Sequence, residues 1–174
     1  MAMDIQLESQ GNIEFKISLV ADEELLYRSI PQVKFNDYIH KINEELKVSS
    51  QAFSDRGQKP SVNRATLDDH DPTKVQVNSK DAVISLVTSD VRKIDKVKKK
   101  SQNGADLIIY KIDVIHRPTE RNFAHAQIEP SPEYETKNIF RKLTESLAFL
   151  ANQRIKDYGW EIEPCTDIQN KLDS

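Results

Sequence analysis

Ten consecutive residues carry the densest set of potentially reactive side chains in the chain: His116-Arg117-Pro118-Thr119-Glu120-Arg121-Asn122-Phe123-Ala124-His125. Two imidazoles can act as general base and general acid near neutral pH, and two guanidinium groups can hold a phosphate through paired N–H donors. That is the inventory of a metal-independent ribonuclease or phosphate-handling enzyme, with His116, Arg121 and His125 as its candidate catalytic residues. The same segment also supports a use without chemistry. Arg117, Glu120, Arg121 and Asn122 form a polar loop suited to contacting a partner.

These side chains act together only if the flanking strands bring them to one place. Ile108, Tyr110, Ile112 and Val114 alternate with Ile109, Lys111, Asp113 and Ile115 after the turn residues Ser101-Gln102-Asn103-Gly104, and a second strand is expected at about 123–129. Aligning their apolar phases pairs Ile112 with Ile128, Val114 with Ala126 and His116 with Ala124, which sends His125 to the face opposite His116. In that register the two imidazoles do not share a proton-transfer site. The run Arg121-Asn122-Phe123-Ala124-His125 also resembles the Arg-Asn…His motif of the HEPN ribonucleases. The resemblance implies RNA cleavage, but the spacing here is shorter than in that family, whose motif sits on a helix.

Other candidates are weaker. Asp68-Asp69-His70-Asp71 offers oxygen and nitrogen donors, yet adjacent residues rarely converge on one ion, and Pro72 marks an acidic turn. Arg92, Lys93, Lys96, Lys98, Lys99 and Lys100 form a basic run without the interleaved aromatics of a single-strand platform, so a solvated face is expected. Cys165, in a Pro-containing tail, is expected to be an inert thiol. Glycine-rich phosphate loops, GxSxG and HExxH are absent, so no metal and no cofactor is expected.

Along the chain, residues 4–20 are expected to form a hairpin, with Ile13, Phe15, Ile17 and Leu19 on one face. A short helix after Asp22 should end at Ile30-Pro31, and Phe35, Ile39, Ile42 and Leu46 predict a helix up to about Lys47. The stretch 48–72 lacks an apolar period and is expected to be a long mobile loop. Val75 and Val77 suggest a short strand, 82–88 a strand, and the residues after it a short helix. A long helix from Pro132 to Tyr158, capped by Ser131 and stopped by Gly159, should place Phe140, Leu143, Leu147, Leu150 and Ala151 on a core. Trp160 and Ile162 should tuck against the body, with a frayed tail from about 165.

At 174 residues the chain suits one domain, 1–174, with enough apolar surface to fold unaided. The expected class is α+β: a mainly antiparallel sheet with helices on one face and a long C-terminal helix. A net charge of −3 gives no general attraction for nucleic acid, and a single cysteine points to a reducing compartment, hence a cytoplasmic protein. No signal-like segment or membrane span is read. With no strong catalytic constellation, the expectation is a non-enzymatic domain that binds another protein in an inhibitory, immunity or regulatory role. The ribonuclease is the alternative.

Overall fold

The computed structural model describes residues 18–100, 103–104, 107–134 and 136–165. The strands are β1 (Leu25–Ile30), β2 (Ile39–Ile42), β3 (Glu45–Val48), β4 (Ser61–Arg64), β5 (Ala82–Val87), β6 (Lys98–Lys100), β7 (Leu107–Ile109), β8 (Lys111–His116) and β9 (His125–Ser131). The helices are α1 (Phe35–Tyr38), α2 (Thr88–Arg92) and α3 (Lys137–Tyr158). Five strands make one antiparallel sheet in the order β5-β1-β4-β9-β8, and β2–β3 and β6–β7 are separate two-stranded ribbons. The α+β class with a long C-terminal helix follows directly.

Leu26 and Ile30 of β1, Val62 of β4, Ile84 and Leu86 of β5, Ile112 and Val114 of β8, and Ala126 and Ile128 of β9 meet Ile139, Phe140, Leu143, Leu147 and Ala151 of α3 in the main core. Tyr27, Ala65 and Val83 form a smaller cluster in which Val75 and Ile162 also pack. The α3 stripe is thus as expected at Phe140, Leu143, Leu147 and Ala151, with Leu150 partly buried against the same core. Gly159, at φ 84, ends the helix, with its N–H donating to Ile155 O at 2.8 Å. The start differs: Ser131 closes β9 and the helix begins at Lys137, because pairing with Lys111 on β8 holds Ser131 in the ladder. Trp160 packs on the main core, and Ile162 bridges to Val83 at the edge of the sheet. Helix α2 follows β5 at that edge yet packs on β8 at the other, where Arg92 Nε meets Asp113 Oδ1 at 2.8 Å. The twisted sheet therefore curls until one short helix spans its open side.

Four expectations are corrected. Residues 25–30 are strand β1, paired on both sides with β4 and β5, so ladder bonds override the short helical pattern after Asp22. The helix expected over 35–47 is only the turn α1 followed by the β2–β3 hairpin, whose tip residues Asn43 and Glu44 adopt positive φ (51 and 66). Helical spacing misled there because Ile42, counted in the stripe, is 48% exposed. Asn152 of α3 then clamps β3, accepting from Val48 N at 2.8 Å and donating to Val48 O at 2.9 Å.

The stretch 48–72 is not a loop. It holds two 3₁₀ turns, Ser50–Phe53 and Ala65–Asp68, and between them β4, a central strand of the sheet, with Phe53 and Ala65 buried. Around Val75 the chain forms a 3₁₀ turn (Pro72–Val75), and Val77 is 97% exposed, so no strand exists there. The strand and short helix expected from 82 onward are β5 and α2. The hairpin expected over 4–20 lies outside the described residues except for 18–20, where Val20 is buried and Leu19 exposed. The tail beyond Cys165 also lies outside them.

Besides its ladders to β1 and β9, the stretch 48–72 is fastened by one side chain. Arg28 on β1 donates to Ala52 O from Nε (3.1 Å) and Nη2 (2.6 Å), to Asp55 Oδ2 from Nη1 (3.0 Å) and Oδ1 from Nη2 (2.5 Å), and to Ser61 O from Nη1 (2.7 Å). Its guanidinium also lies 5.8 Å from the Phe53 ring centroid. Breaking this half-buried pair leaves Asp55 with only the Ser61 N–H and takes the guanidinium donors from two carbonyls. Arg28→Ala should therefore cost about 3–5 kcal/mol in a denaturant titration, whereas Arg141→Ala, which removes the exposed pair with Glu145, should cost under about 0.5 kcal/mol.

Candidate functional site

The expected hairpin of β8 and β9 is present, but its register is His116↔Ala126, Val114↔Ile128 and Ile112↔Pro130, two residues away from the alignment of apolar phases. Because the shift is even, every side chain keeps its face. His116 continues the core-facing row of Ile112 and Val114, and His125 stands on the opposite face beside Asn63 of β4, its direct neighbour across the ladder. The two candidate imidazoles are thus divided by the sheet.

His116 ends its row at the rim of the core. Both ring nitrogens are buried without a hydrogen-bond partner, and the ring meets Phe123 edge-on at 5.5 Å. Nearby lies a nine-tenths-buried ion pair, in which Arg64 donates from Nε and Nη2 to the two carboxylate oxygens of Glu24, each at 3.0 Å, and from Nη2 to Leu19 O at 3.1 Å. The Thr66 hydroxyl also donates to Glu24. Burial pushes the Glu24 carboxyl up, but the Arg64 and Thr66 hydrogen bonds with the Arg64 charge outweigh it and hold the group below its ordinary value. Burial lowers the His116 value, and the Arg64 charge adds to that against the opposing pull of Glu24.

On the other face, His125 Nδ1 lies 2.6 Å from Arg117 O and Nε2 lies 3.2 Å from Ser61 Oγ. Arg117 is committed to Glu129 through two bonds, Nε to Oε1 at 2.8 Å and Nη2 to Oε2 at 3.1 Å, which hold the Glu129 carboxyl below its ordinary value. Asn122 closes the connection: Thr119 N donates to Asn122 O at 3.0 Å, and Asn122 N donates to Thr119 O at 3.2 Å and to its hydroxyl at 3.0 Å. The Asn122 amide donates to Asn63 Oδ1 at 2.9 Å, and Asn63 in turn donates to Asp68 Oδ2 at 2.8 Å. Asn63 and Asp68 are both buried, so the tip is tied to the middle of the sheet. Glu120 and Arg121 stand exposed at its end, and Phe123 beside them is 57% exposed.

Of the sequence-derived candidates, then, Arg117 is spent on Glu129, Asn122 is an anchor, Arg121 and Glu120 face outward, and His116 and His125 do not meet. The motif resembling the HEPN ribonucleases lies on a turn and a strand. In the acidic turn, Asp68 takes Asn63, Asp69 pairs with Lys74, and Asp71 accepts from Thr73 N and Oγ1; among the described residues no group of three or more His, Cys, Asp or Glu side chains could hold a metal. Cys165 is half-buried, with Gln32 Nε2 at 3.6 Å from its sulfur. The basic run breaks up: Arg92 binds Asp22 and Asp113, Lys98–Lys100 become β6, and Lys96 lies over the Phe149 ring at 5.5 Å. Phe149, Ile94 and Leu150 floor a cleft of ≈ 460 Å³ between α2 and α3, rimmed by both signs of charge. Sequence reasoning missed Ser61, Asn63 and Phe123. The first two lay inside the supposed loop, where Val62 alone signalled a strand.

Compared with protein-family models, curated proteins and solved structures, the chain matches none. Among the described residues no helix is long and apolar enough to cross a membrane.

The half-buried His116 makes stability depend on pH. The folded ring binds a proton less readily than the unfolded one, whose ordinary value is 6.5. Its contribution is complete above 6.5 and is lost as pH falls from there toward the lowered folded value, since the unfolded chain then holds more protons. Glu24 adds nothing in this window, because its loss begins only below 4.5. Denaturant titrations from about pH 7.5 to about pH 5.5 should show stability falling, and His116→Phe should flatten that slope.

Proposed function

We propose that the chain is a protein-binding domain whose contact surface is the tip of the β8–β9 hairpin. The observation that carries this reading is the pairing of two exposed side chains of the kinds that dominate interface energies, Arg121 and Phe123, with a backbone already closed by Thr119 and Asn122. A tip anchored through Asn63 and Asp68 loses little conformational freedom on binding, so more of the contact energy appears as affinity. The partner is another protein, which the domain would hold in an inhibitory, immunity or regulatory role. The net charge of −3 offers no general pull on nucleic acid, and the ribonuclease alternative lacks support from the separation of His116 and His125 onto opposite faces.

With the wild-type protein as bait, a partner should be retained that both Arg121→Ala and Phe123→Ala lose, each substitution costing about 2 kcal/mol or about 30-fold in Kd. Arg121→Ala should not shift stability by more than about 0.5 kcal/mol, because its side chain is exposed, whereas Phe123→Ala also removes the edge-on contact with His116, so its capture is compared once its melting transition shows it folded. Equal capture by wild type and by the double variant would remove the tip from consideration.

A further inference from the structure

The bonds made by His125 specify its tautomer. A carbonyl oxygen only accepts, so the 2.6 Å contact between Nδ1 and Arg117 O places the ring proton on Nδ1. In the neutral imidazole the lone pair is then on Nε2, which lies 3.2 Å from Ser61 Oγ. The hydroxyl donates to it. This is the relation of a nucleophile to its base, with the base oriented by a third group.

Both members sit on adjacent central strands. Ser61 begins β4, and its main chain is held at both ends, its N–H by Asp55 Oδ2 at 2.7 Å and its C=O by Arg28 Nη1 at 2.7 Å. His125 begins β9, with its own C=O accepting from Arg117 N at 3.0 Å. Both side chains are partly exposed, and Gln127, directly opposite Ser61 in the β4–β9 register, brings a neutral amide donor to the same face.

We propose that Ser61 and His125 are a nucleophile–base pair acting on carboxylic esters. The charges around the pair select this class over phosphate esters. Arg28 is spent on Asp55, Arg117 on Glu129, and Lys59 on Glu129 and Glu133, so a phosphate would meet cations that are already neutralised. A neutral carbonyl needs only a neutral donor, and the residue paired with Ser61 across the ladder, Gln127, carries an amide of that kind. In the first step Ser61 Oγ bonds to the acyl carbon as its proton passes to His125 Nε2, the bond to the leaving alkoxide breaks, and that alkoxide takes the proton from Nε2. In the second step water attacks the acyl carbon, gives its proton to Nε2, and the acyl–Oγ bond breaks as Oγ is reprotonated. The orienting group is a carbonyl dipole rather than a carboxylate, so the imidazolium is less stabilised than in an aspartate-containing triad, and turnover is slow. Covalent capture is therefore the sensitive readout.

This pair goes beyond the binding reading and needs no partner. The test treats the purified full chain with a tagged fluorophosphonate, in which Ser61 Oγ displaces fluoride at phosphorus and the proton leaves with the fluoride. Wild type should acquire one label, mapped to Ser61 by peptide mass. Ser61→Ala, which keeps the main-chain bonds to Asp55 and Arg28, should acquire none, and His125→Gln should label about 100-fold more slowly. Because His125→Gln also alters a central strand, its melting transition is compared with that of wild type. If it does not fold, the deciding measurement is the burst of p-nitrophenol from p-nitrophenyl acetate in wild type against Ser61→Ala. An unlabelled wild type, a label elsewhere, a folded His125→Gln that labels at the wild-type rate, or equal bursts would each overturn the proposal.

Discussion

The guanidinium of Arg28 is the point from which the rest of the sheet is organised. A planar group with five donors holds a carboxylate and two carbonyls here through five bonds, more than the three donors of a lysine ammonium could make. Through Ala52, Asp55 and Ser61 it gathers a polar stretch with few apolar residues of its own and lays it alongside β1. Without that attachment β4 has only four residues to hold it between β1 and β9. With it, Phe53 and Ala52 reach the core under α3, and Ser61 acquires a fixed backbone.

A second buried cation works at the opposite end of β4. Arg64 and Glu24 are almost fully removed from water, and the cost of desolvating both is offset only because each finds further hydrogen bonds, from Thr66 and to Leu19. The pair also sets the conditions under which His116 lives. Burial and, after it, the Arg64 charge both weigh against a proton on His116, with Glu24 pulling the other way.

The two faces of the hairpin divide the labour. One face carries the half-buried His116 at the rim of the core; the other aligns Asn63, Ser61 and His125 in a polar layer and ties the tip to Asp68. Between them the connection projects Arg121 and Phe123 into solvent. Rigidity at the tip and orientation at His125 share one origin, the ladder between β4 and β9.

Period-2 alternation in β8 and β9 and the apolar stripe of α3 were legible in the chain itself, because burial of one face requires that spacing whatever else surrounds it. The same logic assigned His116 and His125 to opposite faces, and an even register shift left that assignment intact. Segments whose structure depends on distant partners were not legible. Residues 25–30 became a strand because β4 and β5 flank them, residues 39–48 a hairpin because Asn43 and Glu44 accept positive φ and Asn152 clamps Val48, and residues 50–64 a turn and a central strand because Arg28 supplies donors from 24 to 33 positions away. The Ser61–His125 contact spans 64 positions. Side-chain hydrogen bonds of that reach leave no periodic trace, since their partners are set by how strands stack in space and not by the order of residues along any one of them.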